Sequence, residues 1–277
     1  MLVEADGRRL FYTGDFRGHG RKRAVFEELL RSPPKVDVLL MEGTNVREGV
    51  NADARGPSES DVEASIAKLA RNTPGLVLAA FSPQNVDRLV TVFRAAIKSG
   101  RELVLDLYGA TMAAATGLTK TIPQATWDRV RVYLPRSQRA RVIKQGEFAR
   151  TAAVRTARIY PDELRARAGE LIMLFRGSMT RELAAAECLD GATAVWSLWP
   201  GYLRDESGVA LQEFLRAREI PLSVHHSSGH AFVPDLRRLV DGLAPERVVP
   251  IHSFAGDRFG ELFARVDRQQ DGACWNV

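Results

Sequence analysis

Short apolar runs bounded by polar loops recur along the chain at Val36–Met41, Leu76–Phe81, Glu102–Leu107, Leu222–Val224 and Val248–Ile251. Their length and near-continuous apolar character predict buried strands of the parallel type. Between them the apolar period changes to that of a helix. Val62, Ile66 and Leu69 are in phase over Ser58–Asn72, and Leu236, Leu239, Val240 and Leu243 over Asp235–Leu243. Further helices are predicted at Lys22–Arg31 and at Val86–Lys98, the latter closed by Gly100. Pro245 stops the helix that precedes the last strand. The chain opens as a β-hairpin around Ala5-Asp6-Gly7, with Arg9–Tyr12 as its second strand. Strands alternating with helices predict an α/β protein with a doubly wound sheet in its middle third.

In such sheets ligands gather outside the carboxyl ends of the strands, so the residues that follow each strand are the candidates for chemistry. Arg9–Tyr12 runs into Thr13-Gly14-Asp15, and Val36–Met41 into Glu42-Gly43-Thr44-Asn45. Leu222–Val224 runs into His225-His226-Ser227-Ser228-Gly229-His230-Ala231, and Val248–Ile251 into His252-Ser253-Phe254. On residue type alone Asp15 reads as the cap of a turn. His19, between Gly18 and Gly20, reads as a solvated loop residue.

Composition narrows the class. The chain has 277 residues, 45% of them hydrophobic and 26% charged, with two cysteines and a formal net charge of +5. That is ordinary globular usage. Cys188 and Cys274 lack metal-ligand spacing, which points to a reduced, cytoplasmic protein. No apolar run reaches membrane-spanning length. The positive balance is compatible with an anionic partner. Its densest part is Trp127–Tyr160, where Arg129, Arg131, Arg136, Arg139, Arg141, Lys144, Arg150, Arg155 and Arg158 meet few acidic residues. That run reads either as a phosphate-gripping surface or as a solvated helical face. Trp127 and Tyr133 read either as base-stacking residues or as core.

The strand-end motifs carry a resemblance. Tyr12-Thr13-Gly14-Asp15, Glu42, His226-Ser227-Ser228-Gly229-His230-Ala231 and Pro250-Ile251-His252 resemble, in order, those of metallo-β-lactamase-fold metallohydrolases of the β-CASP, ribonuclease J-like group. The layout of Val77–Asn85, Gly169–Met179 and Ala194–Tyr202 is similar to the inserted domain of that group. The resemblance implies the C-terminal part of an αββα fold in segments 1–56 and 221–277, with a doubly wound β-CASP-like insertion over 57–220. It implies two zinc ions, bridged by Asp15 and held by His252. His230 would act at the scissile phosphate, Glu42 would support the histidines, and His226, Ser228 and Gly229 would shape the phosphate loop. It also tips the arginine run, with Arg136, Arg139 and Arg141, toward RNA or other single-stranded nucleic acid.

The group's zinc site also draws on a His-x-His-x-Asp-His motif, and this chain contains no His-x-His. The expectation is therefore a fragment of a longer enzyme. It would have a weak two-ligand metal site and partly uncovered strands that call for a partner chain or a second copy. Three functions remain: a zinc-dependent nuclease cleaving RNA or DNA, a catalytically defective nucleic-acid-binding or subunit-like protein, and a hydrolase of a small substrate. Ser253-Phe254, where the group often has Gly-Glu, keeps the last of these open.

Overall fold

The computed structural model describes residues 1–49 and 51–277. Among them the strands are, in chain order, β1 (Leu2–Ala5), β2 (Arg8–Tyr12), β3 (Val38–Glu42), β4 (Val77–Ala80), β5 (Glu102–Asp106), β6 (Val130–Tyr133), β7 (Leu171–Leu174), β8 (Thr193–Trp196), β9 (Leu222–Val224) and β10 (Arg247–Ile251). The chain divides into two compact units, residues 1–58 with 227–277, and residues 59–226. Both are α/β, and no helix among the described residues is long and apolar enough to cross a membrane.

The first unit holds a four-stranded sheet in the order β1-β2-β3-β10. β1 and β2 form the antiparallel hairpin, whereas β2, β3 and β10 are mutually parallel. The register pairs Leu10 with Val38 and Ile251 with Glu42. The carboxyl ends of these three strands therefore lie side by side, although β10 is some two hundred residues from β3 in sequence.

Much of the apolar surface expected to be uncovered on β3 and β10 is covered from within the chain. Leu39, Met41 and Val248 are buried under helices Arg23–Arg31 and Val233–Leu243, packed with Phe26, Leu236, Leu239 and Leu243. On the opposite face Val38 and Val249 are buried as well. There the C-terminal residues fold back. Val266 bridges to Val248 along the free edge of β10, and the Arg247 guanidinium stacks over Trp275 and donates to the Asn276 carbonyl. Local pairing thus covers part of this face, while Leu40 and Ile251 stay half-buried near the exposed Phe254.

The second unit is an all-parallel six-stranded sheet ordered β6-β5-β7-β4-β8-β9. Every residue of β4 and β7 is buried, as central strands covered on both faces require. Helix Glu59–Arg71 covers it through Val62, Ile66, Ala67 and Ala70, and helix Val86–Lys98 through Leu89, Val92, Ala95 and Ala96. The Asn85 side chain caps the latter by accepting from Arg88 N at 3.1 Å. β9 pairs with β8, so Leu222–Val224 belongs to this sheet and not with the 221–277 segment.

Trp127 and Tyr133 are both taken up by packing in this unit. Trp127 stacks edge-on against Phe93 at 5.5 Å and donates to the Thr119 carbonyl. Tyr133 is 4% exposed, and its hydroxyl donates to Glu182 at 3.1 Å. Tyr133 is therefore not available to stack on a base, whereas Trp127 is half-buried. Parts of the arginine run are likewise committed. Arg131 pairs with Glu102, Arg150 pairs with Glu147, and Arg158 lies over Tyr160. Arg136, Arg139 and Arg141 remain exposed along helix Arg136–Gln145, with no carboxylate partner among the described residues.

Candidate metal centre

The three parallel strands of the first unit deliver Asp15, Glu42 and His252 to one edge. Asp15 follows β2 through Gly14, whose φ of +56° is left-handed backbone that glycine adopts without strain. Thr13 ties this turn to β3. Its N–H donates to the Leu40 carbonyl at 3.0 Å, and its hydroxyl accepts from Glu42 N at 3.2 Å. His252 follows β10 with φ +48°, a costly conformation for a residue with a side chain. The Thr44 hydroxyl holds it by donating to the His252 carbonyl at 3.2 Å.

His230 joins them from the 227–231 loop. Its Nδ1 is buried, 3.4 Å from Glu42 Oε2 and 3.8 Å from Asp15 Oδ1. His252 Nδ1 lies 2.9 Å from Asp15 Oδ1, and the two imidazoles meet edge to face at 5.2 Å. One ligand atom from each of Asp15, His230 and His252 falls within 4.8 Å of the other two. Two imidazoles and a carboxylate, half-open to solvent, are a donor set that fits zinc with a position left for water or substrate. The first shell read from the sequence had two members; the folded chain brings a third donor within reach.

Glu42 is fully buried, with no lysine or arginine paired to it among the described residues. Backbone donors hold it instead: Oε1 accepts from Ala231 N at 2.9 Å and Oε2 from Thr44 N at 3.1 Å. Glu42 therefore ties the His230 loop to β3 and faces the His230 ring with an acceptor. Such partners orient metal-binding and catalytic histidines. Gly43 beside it is required by packing, because a Cβ there would lie 2.4 Å from the Phe259 ring.

The sequence reading missed the residues that shape the 227–231 loop. Asn45 Nδ2 lies within donating distance of Ser228 Oγ at 3.1 Å, the His230 carbonyl at 2.9 Å and the Ala231 carbonyl at 3.1 Å. Ser228 Oγ also accepts from His230 N at 3.1 Å. The Ser228 carbonyl receives Arg17 Nη1 at 3.0 Å and lies 3.0 Å from His19 Nε2. His19 is thus a packing residue, its ring 4.4 Å from that of Phe232, and not a solvated one. The available signal was the pair Thr44-Asn45 at the end of a buried strand, where polar side chains have backbone to satisfy. Gly229 is exposed, with open space at its Cα. His226 ends the second unit and lies outside the donor cluster.

The family profile described as "Zn-dependent metallo-hydrolase RNA specificity domain" matches residues 222–254, the stretch that carries His230 and His252. Ribonuclease J of Mycobacterium tuberculosis is 26% identical over 227 residues, covering 78% of this chain and 36% of that protein. Ribonuclease J of Mycolicibacterium smegmatis is 25% identical over the same length. The chain is similar to the β-CASP, ribonuclease J-like metallohydrolases. It spans about a third of the length of the ribonucleases J it matches. A solved structure, a protein of unknown function from Enterococcus faecalis V583, superposes with a TM-score of 0.70 over 97% of this chain and 58% of that one, at 21% identity, and shares the fold.

Proposed function

We propose that this chain carries the metal-binding edge of a zinc-dependent phosphodiesterase acting on RNA. The observation that carries this reading is the convergence of Asp15, His230 and His252 within 4.8 Å, the two histidines lying in the stretch that resembles an RNA specificity domain. Asp15 and His252 hold the ion; His230 completes its shell or faces the phosphate. Zinc bound there would supply Lewis acidity toward water and phosphate oxygens. A proton on His230 Nδ1, facing Glu42, leaves Nε2 with its lone pair for the ion or for a proton in transfer. The Ser228-Gly229 turn beside it is open enough for a phosphate oxygen to approach.

Binding without turnover is a second reading. It is favoured by the donor count, because three donors serve one ion where the family resemblance implies two. The test is cleavage of a labelled single-stranded RNA by the zinc-loaded chain and its His252→Ala variant, with bis(p-nitrophenyl) phosphate as a small-ester control. RNA cleavage that needs zinc and is lost in His252→Ala supports the phosphodiesterase. RNA bound but uncut supports the second reading, and hydrolysis of the small ester alone overturns both.

A further inference from the structure

The second unit holds a polar cluster that the metal centre does not use. It lies at the carboxyl ends of β4, β5 and β7. The sheet order reverses there: β5 and β6 are laid down on one side of β4, β8 and β9 on the other, and β7 is inserted between β4 and β5. In open parallel sheets the crevice at such a reversal is where ligands bind.

Asp106, at the end of β5, is fully buried. Its Oδ1 accepts from Gly109 N at 2.6 Å, and its Oδ2 from Gln138 Nε2 and Arg176 Nε, both at 2.7 Å. The Arg176 guanidinium also stacks over the Tyr108 ring, 5.4 Å from its centroid. Tyr108 is fixed in turn: its hydroxyl accepts from Gln84 Nε2 at 2.8 Å, and its N–H donates to Gln138 Oε1 at 3.1 Å. Arg176 is therefore clamped at Nε and across its face. Yet its side chain is one-third exposed, and Nη2 is buried with no hydrogen-bond partner among the described residues. A buried guanidinium nitrogen without an acceptor is costly. Gly177 and Ser178, next in the chain, are both exposed, and nothing lies within 4 Å of where a Gly177 Cβ would stand. Gln138 also anchors the helix whose outer side carries the unpaired Arg136, Arg139 and Arg141.

We propose that Arg176, with the open Gly177-Ser178 turn, binds a backbone phosphate of single-stranded nucleic acid. A pre-oriented guanidinium fork suits phosphate oxygens, and its ordering has already been done by Asp106 and Tyr108. The nucleic-acid assignment rests on the reading above, but the site lies in the other unit and needs no metal.

The experiment measures anisotropy of a labelled single-stranded RNA with the full chain, in chelator, over a range of salt. That keeps it independent of cleavage. Arg176→Ala is expected to weaken binding ~10-fold, the loss of one charge-assisted contact. It should also lower the log–log salt slope by ~0.7, as for one phosphate. Arg176→Lys should recover only part of the affinity. Ser178→Glu breaks none of the internal bonds and should weaken binding comparably, which keeps the test valid if Arg176→Ala fails to fold. Unchanged affinity and slope in folded Arg176→Ala, or in Ser178→Glu where that variant alone folds, would mean that water satisfies Nη2, and would overturn the proposal. So would a variant that loses thermal stabilisation by inorganic phosphate while binding RNA normally, since the site would then take a free anion.

Discussion

Glu42 Oε2 stands 3.4 Å from His230 Nδ1, a buried carboxylate from β3 facing an imidazole from a loop near the other end of the chain. The contact exists because Glu42 also accepts from Ala231 N, so the backbone next to His230 is pinned before the ring is oriented. Geometry held in this way does not depend on a bound ion, and it makes the first prediction.

Glu42→Gln replaces one carboxylate oxygen by an amide nitrogen, which cannot accept, so only one of Thr44 N and Ala231 N keeps its acceptor. A buried donor is then left unpaired, and stability should fall by about 1–3 kcal/mol. Zinc affinity should fall ~10–100-fold, as for other losses of an orienting partner. Urea denaturation and zinc titration of the same variant check the two together. A variant as stable as the wild type with unaltered zinc affinity would remove Glu42 from the site.

Metal binding itself should involve about one ion per chain, since three donors make one open site. His252→Ala and Asp15→Ala should each lower the affinity more than Glu42→Gln does. Titration of the metal-free chain followed by elemental analysis measures this. Two tightly held ions would show that donors beyond Asp15, His230 and His252 take part.

His225 gives a pH dependence. Burial holds its pKa below the ordinary value of 6.5, because desolvation disfavours the imidazolium. The unfolded chain therefore takes up this proton first. Stability from this residue is intact above about pH 6.5 and declines as the pH falls below it. His225→Gln should be less acid-sensitive than the wild type between pH 6.5 and 5, measured by urea midpoints. Parallel curves for the two proteins would refute it.

The cysteines should separate by reactivity. Cys188 is buried, and desolvation pushes its thiol up to about 11, whereas Cys274 is exposed. The thiolate is the reactive form. One thiol per chain should react with a disulfide reagent at pH 8 in native conditions and two in denaturant, and Cys274→Ser should abolish the native reaction. Rapid native modification of Cys188 would contradict the packing around it.

The strand ends were legible in the sequence, and with them the places of Glu42 and His252 as candidates; Asp15 was singled out only by the family resemblance. An apolar run long enough for one buried strand, followed by a charged or imidazole side chain, says where the chain leaves the core and what it presents there. The βαβ rhythm likewise showed the parallel sheet of the second unit. Which ends meet was not legible. That β2, β3 and β10 lie parallel and in register is a non-local pairing, decided by the packing of Leu39, Met41 and Val248 against Phe26 and Leu236. No local pattern encodes that packing. The same holds for His230 as a third donor, for Asn45 as the clasp of its loop, and for Tyr133, which burial removed from the surface. β9 joined the second sheet because its backbone found β8 as an edge. Its short apolar run would have suited either sheet. Local chemistry follows from residue type and strand period, whereas the meeting of donors follows from tertiary packing across long sequence separations.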